Sequence, residues 1–359
     1  MLDIDTQVLQ QAAQWQRDGI PAWLVTVART WGSSPRPPGA LMALNGHGEV
    51  AGSVSGGCIE DDLVARARAG VAATARPEVL RYGVHADQAR QFGLPCGGTL
   101  ELVMETIGPA SQLPALLEHC RRRDCIEREL DLASGAVSLR PGPADGLPRL
   151  TADTFTSHFG PSVRLIVIGA GDISGYLCQI ALTLGFEVIV CDPRDTPSPA
   201  WTMPGAVRSR EMPDDLILRL RPDRRTAIIA LSHDPKLDDL ALIDALPSQA
   251  FYVGAIGSRR NSETRRARLR EHFDLADADL RRLRGPAGVY IGSKTPAEIA
   301  LSIMAEIVAA KNGVARDALE TVAAGKARDP AKEDRAREGP AGLDSTPIDP
   351  PHPARACPV

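Results

Sequence analysis

Apolar positions along the chain change period several times, and the sharpest change falls near the middle. Residues 165–168, LIVI, form an unbroken apolar run of the kind shown by a strand buried on both faces of a parallel sheet. The run breaks at Gly169-Ala170-Gly171, and residues 173–184 then place apolar side chains at helical spacing. A second apolar run, residues 187–191, follows Gly185 and ends on Asp192. Strand, glycine turn, helix and second strand in this register predict a βαβ unit.

Upstream, Val8, Leu9, Ala12 and Trp15 share one face of a predicted helix over residues 5–18, and residues 22–30 read as a strand. Trp31-Gly-Ser-Ser-Pro-Arg-Pro-Pro-Gly39 denies the backbone regular hydrogen bonding and predicts a surface loop. Residues 40–44 and 49–54 flank Asn45-Gly-His-Gly48, a hairpin signal. A helix over 61–75, strands over 78–82 and 99–107, and a helix over 111–123 follow, the last ending in Arg121-Arg122-Arg123. Residues 135–150 are rich in glycine and proline and, with 151–160, read as a connection. Beyond it come predicted strands at 206–209, 226–231, 251–256 and 288–293 and a final helix at 296–311. The fold class expected is α/β: a C-terminal Rossmann-like, doubly wound parallel sheet over 161–314 and a smaller N-terminal α+β domain over 1–110. Residues 111–160 join the two, and 327–359, charged and proline-rich without a periodic apolar face, read as a disordered tail.

Composition narrows this picture. A chain of 359 residues, 43% hydrophobic and 24% charged, has material for two cored domains, and a net charge of -4 speaks against a general nucleic-acid binder. No apolar run approaches the ~20 residues of a membrane span, and Met1-Leu-Asp-Ile-Asp5 is acidic where a secretory signal would be basic. A soluble, cytoplasmic protein is expected. The seven cysteines include no C-x-x-C pair, which argues against a zinc knuckle or a thioredoxin-type redox pair.

Candidate chemistry gathers at glycine junctions. Gly169 permits a tight turn, Gly171 lets backbone N–H groups approach a diphosphate at a helix N-terminus, and Asp192 falls about 20 residues on, where the dinucleotide fingerprint puts its ribose acid. The alternative is that these glycines only permit close packing. At the carboxyl ends of the next predicted strands stand His233-Asp234 and Gly257-Ser258-Arg259-Arg260. His233 reads either as a proton carrier or hydrogen-bond donor to a ligand or as a satisfied polar group. Arg259 and Arg260 read either as phosphate-binding forks or as the solvated start of a basic helix. Ile291-Gly292-Ser293-Lys294 is placed to close the crevice.

Two further junctions couple cysteine to paired glycines. Ser55-Gly56-Gly57-Cys58 precedes a helix, so Cys58 reads either as a reactive thiol beside exposed N–H groups that also favour an anion, or as a buried structural thiol. Acidic Glu60, Asp61 and Asp62 would oppose a thiolate. Cys96-Gly97-Gly98 leads into a strand. Soft sulfur at both junctions could meet a metal or a sulfur group, while the bland reading is two bulges beside ordinary thiols.

Several stretches in order resemble the XdhC/CoxI family, accessory factors of xanthine dehydrogenase and related molybdenum hydroxylases. They are Gly52-Ser-Val-Ser-Gly-Gly-Cys58, Phe92-Gly-Leu-Pro-Cys-Gly-Gly98, the glycine turn with Asp192-Pro-Arg194, Ser232-His-Asp-Pro235, Tyr252-Val-Gly-Ala-Ile-Gly-Ser-Arg-Arg260 and Ile291-Gly-Ser-Lys-Thr-Pro-Ala-Glu-Ile-Ala-Leu-Ser-Ile303. The resemblance spans roughly residues 22–313. It implies a non-enzymatic chaperone that holds a molybdenum cofactor, as molybdopterin or its cytosine dinucleotide, while a cysteine desulfurase supplies its sulfido ligand, then delivers it to an apo-hydroxylase. Carried over, Cys58 and Cys96, flanked by Ser55, Gly56, Gly57, Gly97 and Gly98, would contact the molybdenum or handle sulfur. The pterin end would lie over Gly169, Gly171, Asp172, Asp192, His233, Gly257, Ser258 and Arg259. Asp172 stands where the family usually has histidine, and a carboxylate there repels phosphate unless paired. Two other functions stay open: an NAD(P)-dependent oxidoreductase, with Asp192 favouring NAD, and a ligand-free scaffold docking desulfurase and hydroxylase. Homodimerisation is also left open.

Overall fold

The computed structural model describes residues 3–31, 36–69, 76–83, 99–143, 146–194, 203–315 and 318–319. Cys96, Gly97 and Gly98, the tail over 327–359 and residues 32–35 of the proline loop lie outside the described residues. Helix α1 (Ile4–Arg17) starts at Asp3, whose carboxylate accepts from the Thr6 amide, and buries Val8, Leu9, Ala12 and Trp15 as its spacing requires. Strand β1 (Ala22–Trp31), β2 (Leu41–Asn45) and β3 (Val50–Gly52) follow, then helix α2 (Cys58–Arg68), β4 (Glu78–Tyr82) and β5 (Thr99–Thr106). These strands make one antiparallel sheet, ordered β3-β2-β1-β5-β4. Both faces of β1 are covered: Trp23, Val25 and Val27 pack on the side of Ile59 and Leu63 from α2, while Ala22 and Leu24 pack on the side of α1. The β2–β3 hairpin matches its turn signal, whereas α2 starts at Cys58 rather than at residue 61 and ends at Arg68; residues 70–75 of the expected helix lie outside the described residues.

Helix α3 (Leu113–Arg121) leads into a layer that the glycine and proline content concealed. Strands β6 (Ile126–Asp131), β7 (Val137–Pro141), β8 (Arg149–Leu150) and β9 (Thr154–Phe159) form a second antiparallel sheet, ordered β7-β6-β9-β8. The region expected to be a connection is therefore folded structure. Its strand signal was disguised because Arg128 occupies the inward phase of β6 between Ile126 and Leu130. Arg128 is 1% exposed and meets Glu105 of β5 in a two-pronged pair at 2.8 and 2.7 Å, which joins the two sheets.

The rest is the expected parallel sheet. Strand β10 (Arg164–Ile168), helix α4 (Asp172–Thr183), β11 (Glu187–Cys191), β12 (Ala206–Ser209), α5 (Pro213–Leu220), β13 (Thr226–Ala230), α6 (Pro235–Ala245), β14 (Tyr252–Ala255), α7 (Arg259–Phe273), α8 (Asp277–Leu280), β15 (Leu283–Arg284) and α9 (Pro296–Lys311) alternate along it. All five strand pairs are parallel, in the order β12-β11-β10-β13-β14-β15. Chain order reverses between β10 and β13, the switch point where ligands settle in such sheets. Helices α4 and α9 cover one face, and α5, α6 and α7 the other. The last strand is the short β15, and residues 288–293, expected as a strand, are irregular. Among the described residues no helix is long and apolar enough to cross a membrane.

Candidate functional site

At the switch point the glycine turn is shaped by its neighbours. Gly169 has φ +98°, and a Cβ there would stand 2.4 Å from Ser232 Cα, so only glycine lets the turn pass the loop after β13. Gly171 differs: it is the N-cap of α4, with φ -96°, and a Cβ there would meet open space. Among the described residues no side-chain cap closes the start of α4, whose first residue is the exposed Asp172.

Asp192 does not act as the free acceptor that its place in the fingerprint suggests. It is 1% exposed, and its carboxylate accepts from the Ala170 amide at 2.8 Å and from Arg194 through its amide, Nε and a terminal nitrogen at 3.1, 2.9 and 2.7 Å. Burial alone would raise its pKa, but the Arg194 guanidinium and the Ala170 amide outweigh burial and hold it below the usual carboxylate range. Asp192 thus clamps the glycine turn and orients Arg194 along the carboxyl edge.

The next two loops are tied together from beneath. Ser232 donates through its hydroxyl to Asp238 at 2.6 Å, and the other oxygen of Asp238 meets Arg265 of α7 at 2.9 Å. Arg265 also donates to the Ile256 carbonyl at 3.1 Å and to Asp239 at 3.2 Å, while Arg268 holds Asp239 at 2.5 Å. Burial pushes the Asp238 carboxyl up, against the opposing pull of Ser232 and Arg265. Arg265, which reads in the sequence as one of several solvated arginines, is in fact 8% exposed and fixes the Gly257 loop to the His233 loop. Only a hydrophobic-phase argument on α7, where Ser262, Arg265 and Leu269 share the inner face, could have marked it.

Within this frame His233 is exposed in the left-handed region, φ +58°, a conformation that costs a non-glycine residue energy and recurs at functional sites. Gly257, φ +151°, precedes Ser258, which caps α7 by accepting from the Asn261 amide at 3.1 Å. Arg259 and Arg260 open that helix and are exposed. Ile291 to Lys294 lead irregularly into the Thr295 and Glu298 capping box of α9.

The Ser55–Cys58 junction departs from expectation. The amides of Val54, Ser55, Gly56 and Gly57 and the hydroxyls of Ser53 and Ser55 all donate to one carboxylate, Glu60, mostly at 2.6–3.2 Å. Gly56 and Gly57 have φ +88° and +139°, which turns the amides inward onto it. Burial works against this charge, yet the Ser53 and Ser55 hydroxyls and the Ser55 amide bring the Glu60 pKa down to about 2. The N–H groups expected to await a ligand anion are therefore already satisfied. The Cys58 thiol, like Cys96, Gly97 and Gly98, lies outside the described residues. Among the described residues no three metal-ligating side chains cluster. The structure brings Gly169, Gly171, Asp192, His233 and Gly257 to one sheet edge, whereas the hydrogen bonds of Ser55, Gly56 and Gly57 stay within their own loop.

Two family models match the chain in order: the XdhC and CoxI family over residues 15–83 and the XdhC Rossmann domain over residues 165–307. The chain belongs to the XdhC/CoxI family. It is 26% identical to the molybdenum cofactor insertion chaperone PaoD of Escherichia coli (strain K12), across 87% of this chain and 90% of that one. It is 24% identical to a probable xanthine dehydrogenase subunit of Bacillus subtilis (strain 168), across 82% of this chain and 94% of that one. A crystal structure of a xanthine dehydrogenase from Bacillus halodurans shares the fold, with TM-score 0.69, 24% identity and coverage of 88% of this chain and 97% of that one.

Proposed function

We propose that this protein receives a molybdenum cofactor, as molybdopterin or its cytosine dinucleotide, as cargo and serves the maturation of an apo molybdenum hydroxylase. The observation that carries the reading is the uncapped amino end of α4 beside open Gly171, with Arg194 and Arg259 at neighbouring strand ends. Uncapped amides and the exposed Arg259 suit a phosphate or diphosphate, set against the repulsion of exposed Asp172 and the commitment of Arg194 to Asp192. The Cys58 loop, its amides spent on Glu60, offers no such cradle, which supports an orientation with the phosphate end at α4 and the metal end toward Cys58 and Cys96. Those thiols would hold or pass sulfur while a cysteine desulfurase supplies the sulfido ligand, before delivery to the apo-enzyme. The NAD alternative rests on Asp192 as a ribose acceptor, and the four hydrogen bonds it already accepts weigh against that role.

The test is equilibrium retention of freshly released cofactor, with molybdenum and pterin both quantified and NAD as competitor. Near-stoichiometric retention that falls at least tenfold in Cys58→Ser and Cys96→Ser, with the thermal midpoint unchanged, is expected. Tight NAD binding with no cofactor retained would sink the reading.

A further inference from the structure

On the opposite, amino edge of the parallel sheet lies a cavity of about 720 Å³, walled on one side by the α3–β6 connection and the residues just after β7 and on the other by the segments leading into β10, β13 and β14 and by the end of α9. That volume is in the range of small-molecule sites, which favour interfaces between structural units. Four cations line it, Arg123, Arg224, Arg225 and Lys311, against one carboxylate, Asp223. Asp223 is already engaged by the Arg123 fork at 2.7 and 3.1 Å and by the Thr226 hydroxyl at 2.8 Å. Among the described residues Arg224, Arg225 and Lys311 have no carboxylate within ion-pair distance.

The Arg225 guanidinium is held in place by a 2.6 Å bond from Nε to the Pro161 carbonyl. Partial desolvation and the nearby Arg225 charge both depress the Lys311 pKa, while Lys311 and Arg224 keep exposed faces and Asp5 lies within electrostatic reach of Arg225 without pairing to it. The negative end of α9 accounts for Lys311, its last residue, but not for the two arginines across the cavity. Phe251, Pro143 and Val163 add an apolar wall.

We propose that this cavity is a second ligand site, separate from the carboxyl-edge crevice, for a small phosphate ester with a flat ring, of the nucleoside monophosphate class. The phosphate dianion pairs with Arg224, Arg225 and Lys311, and the ring lies on the Phe251 wall. Such a ligand touches both halves of the chain and draws them together.

The test is calorimetric titration of the full chain with AMP, inorganic pyrophosphate and adenosine. Expected are saturable, salt-weakened AMP binding, adenosine weaker by at least tenfold, and a tenfold or greater loss of AMP affinity in Arg224→Glu and Lys311→Glu. Gly171→Val, at the far edge of the sheet, should leave AMP affinity unchanged. Failure of AMP to saturate, equal affinity in both charge-reversal variants, or loss of binding in Gly171→Val would overturn the proposal. Pyrophosphate binding as tightly as AMP would overturn the part that assigns a ring. None of these readouts involves the molybdenum cofactor, so the proposal stands or falls apart from the maturation reading.

Discussion

The chain uses the same local device twice, a strand running through paired or spaced glycines into a helix, and the two copies end up opposite in chemistry. Before α2, six donors converge on Glu60 from within the loop. Before α4, no side-chain cap is present among the described residues, and Gly171 faces open space. One junction closes its amides on its own carboxylate; at the other no described side chain does so. Glycine spacing alone does not separate these cases, because both need backbone N–H groups brought close together, and what differs is whether a carboxylate three residues into the helix folds back onto them.

Substitutions at three positions probe that contrast. The largest effect is expected from Glu60→Ala, which strands several buried donors and should cost about 3 kcal/mol in denaturant unfolding. The acid dependence follows from the same group. Its folded pKa of about 2 lies below the ordinary value of 4.5, so its contribution is complete above that ordinary value and is lost as pH falls toward 2. The stability gap between wild type and Glu60→Gln should therefore shrink across that window; a gap independent of pH would refute the caged carboxylate. Next comes Gly169→Ala, where positive φ and a 2.4 Å approach to Ser232 predict a loss of about 2 kcal/mol, read from the same unfolding curves. Smallest in stability is Gly171→Val, expected within about 0.5 kcal/mol of wild type because its surroundings are open, yet with cofactor retention reduced about tenfold. Full retention in that folded variant would move the phosphate site away from α4.

Much of the fold was legible because its signals are local. The apolar run at 165–168, the glycines after it and the apolar stripe of α9 each lie within a few residues of one another, and strand and helix followed as expected. The β6–β9 sheet was not legible, since its inward phase includes Arg128, whose partner Glu105 is 23 residues away. An arginine between two apolar positions looks like a solvated strand or loop until that partner is in place. Arg265 hid for the same reason, its partner Asp238 lying 27 residues upstream.

For the candidate site, residue order alone marked the segments proposed to bind: the glycine turns, the motif around Cys58, and the residues at the ends of β11, β13 and β14. It also pointed to the family, which the matches of two family models over residues 15–83 and 165–307 bear out. Which hydrogen-bonding groups remain free was set by the folded backbone. Asp192 became a clamp on Arg194 and Ala170, the amides before Cys58 closed on Glu60, and those of α4 were left open. A residue type states what a group can bind, but the path of the backbone settles which partner reaches it first, and a buried polar group, once satisfied, is no longer available to a ligand.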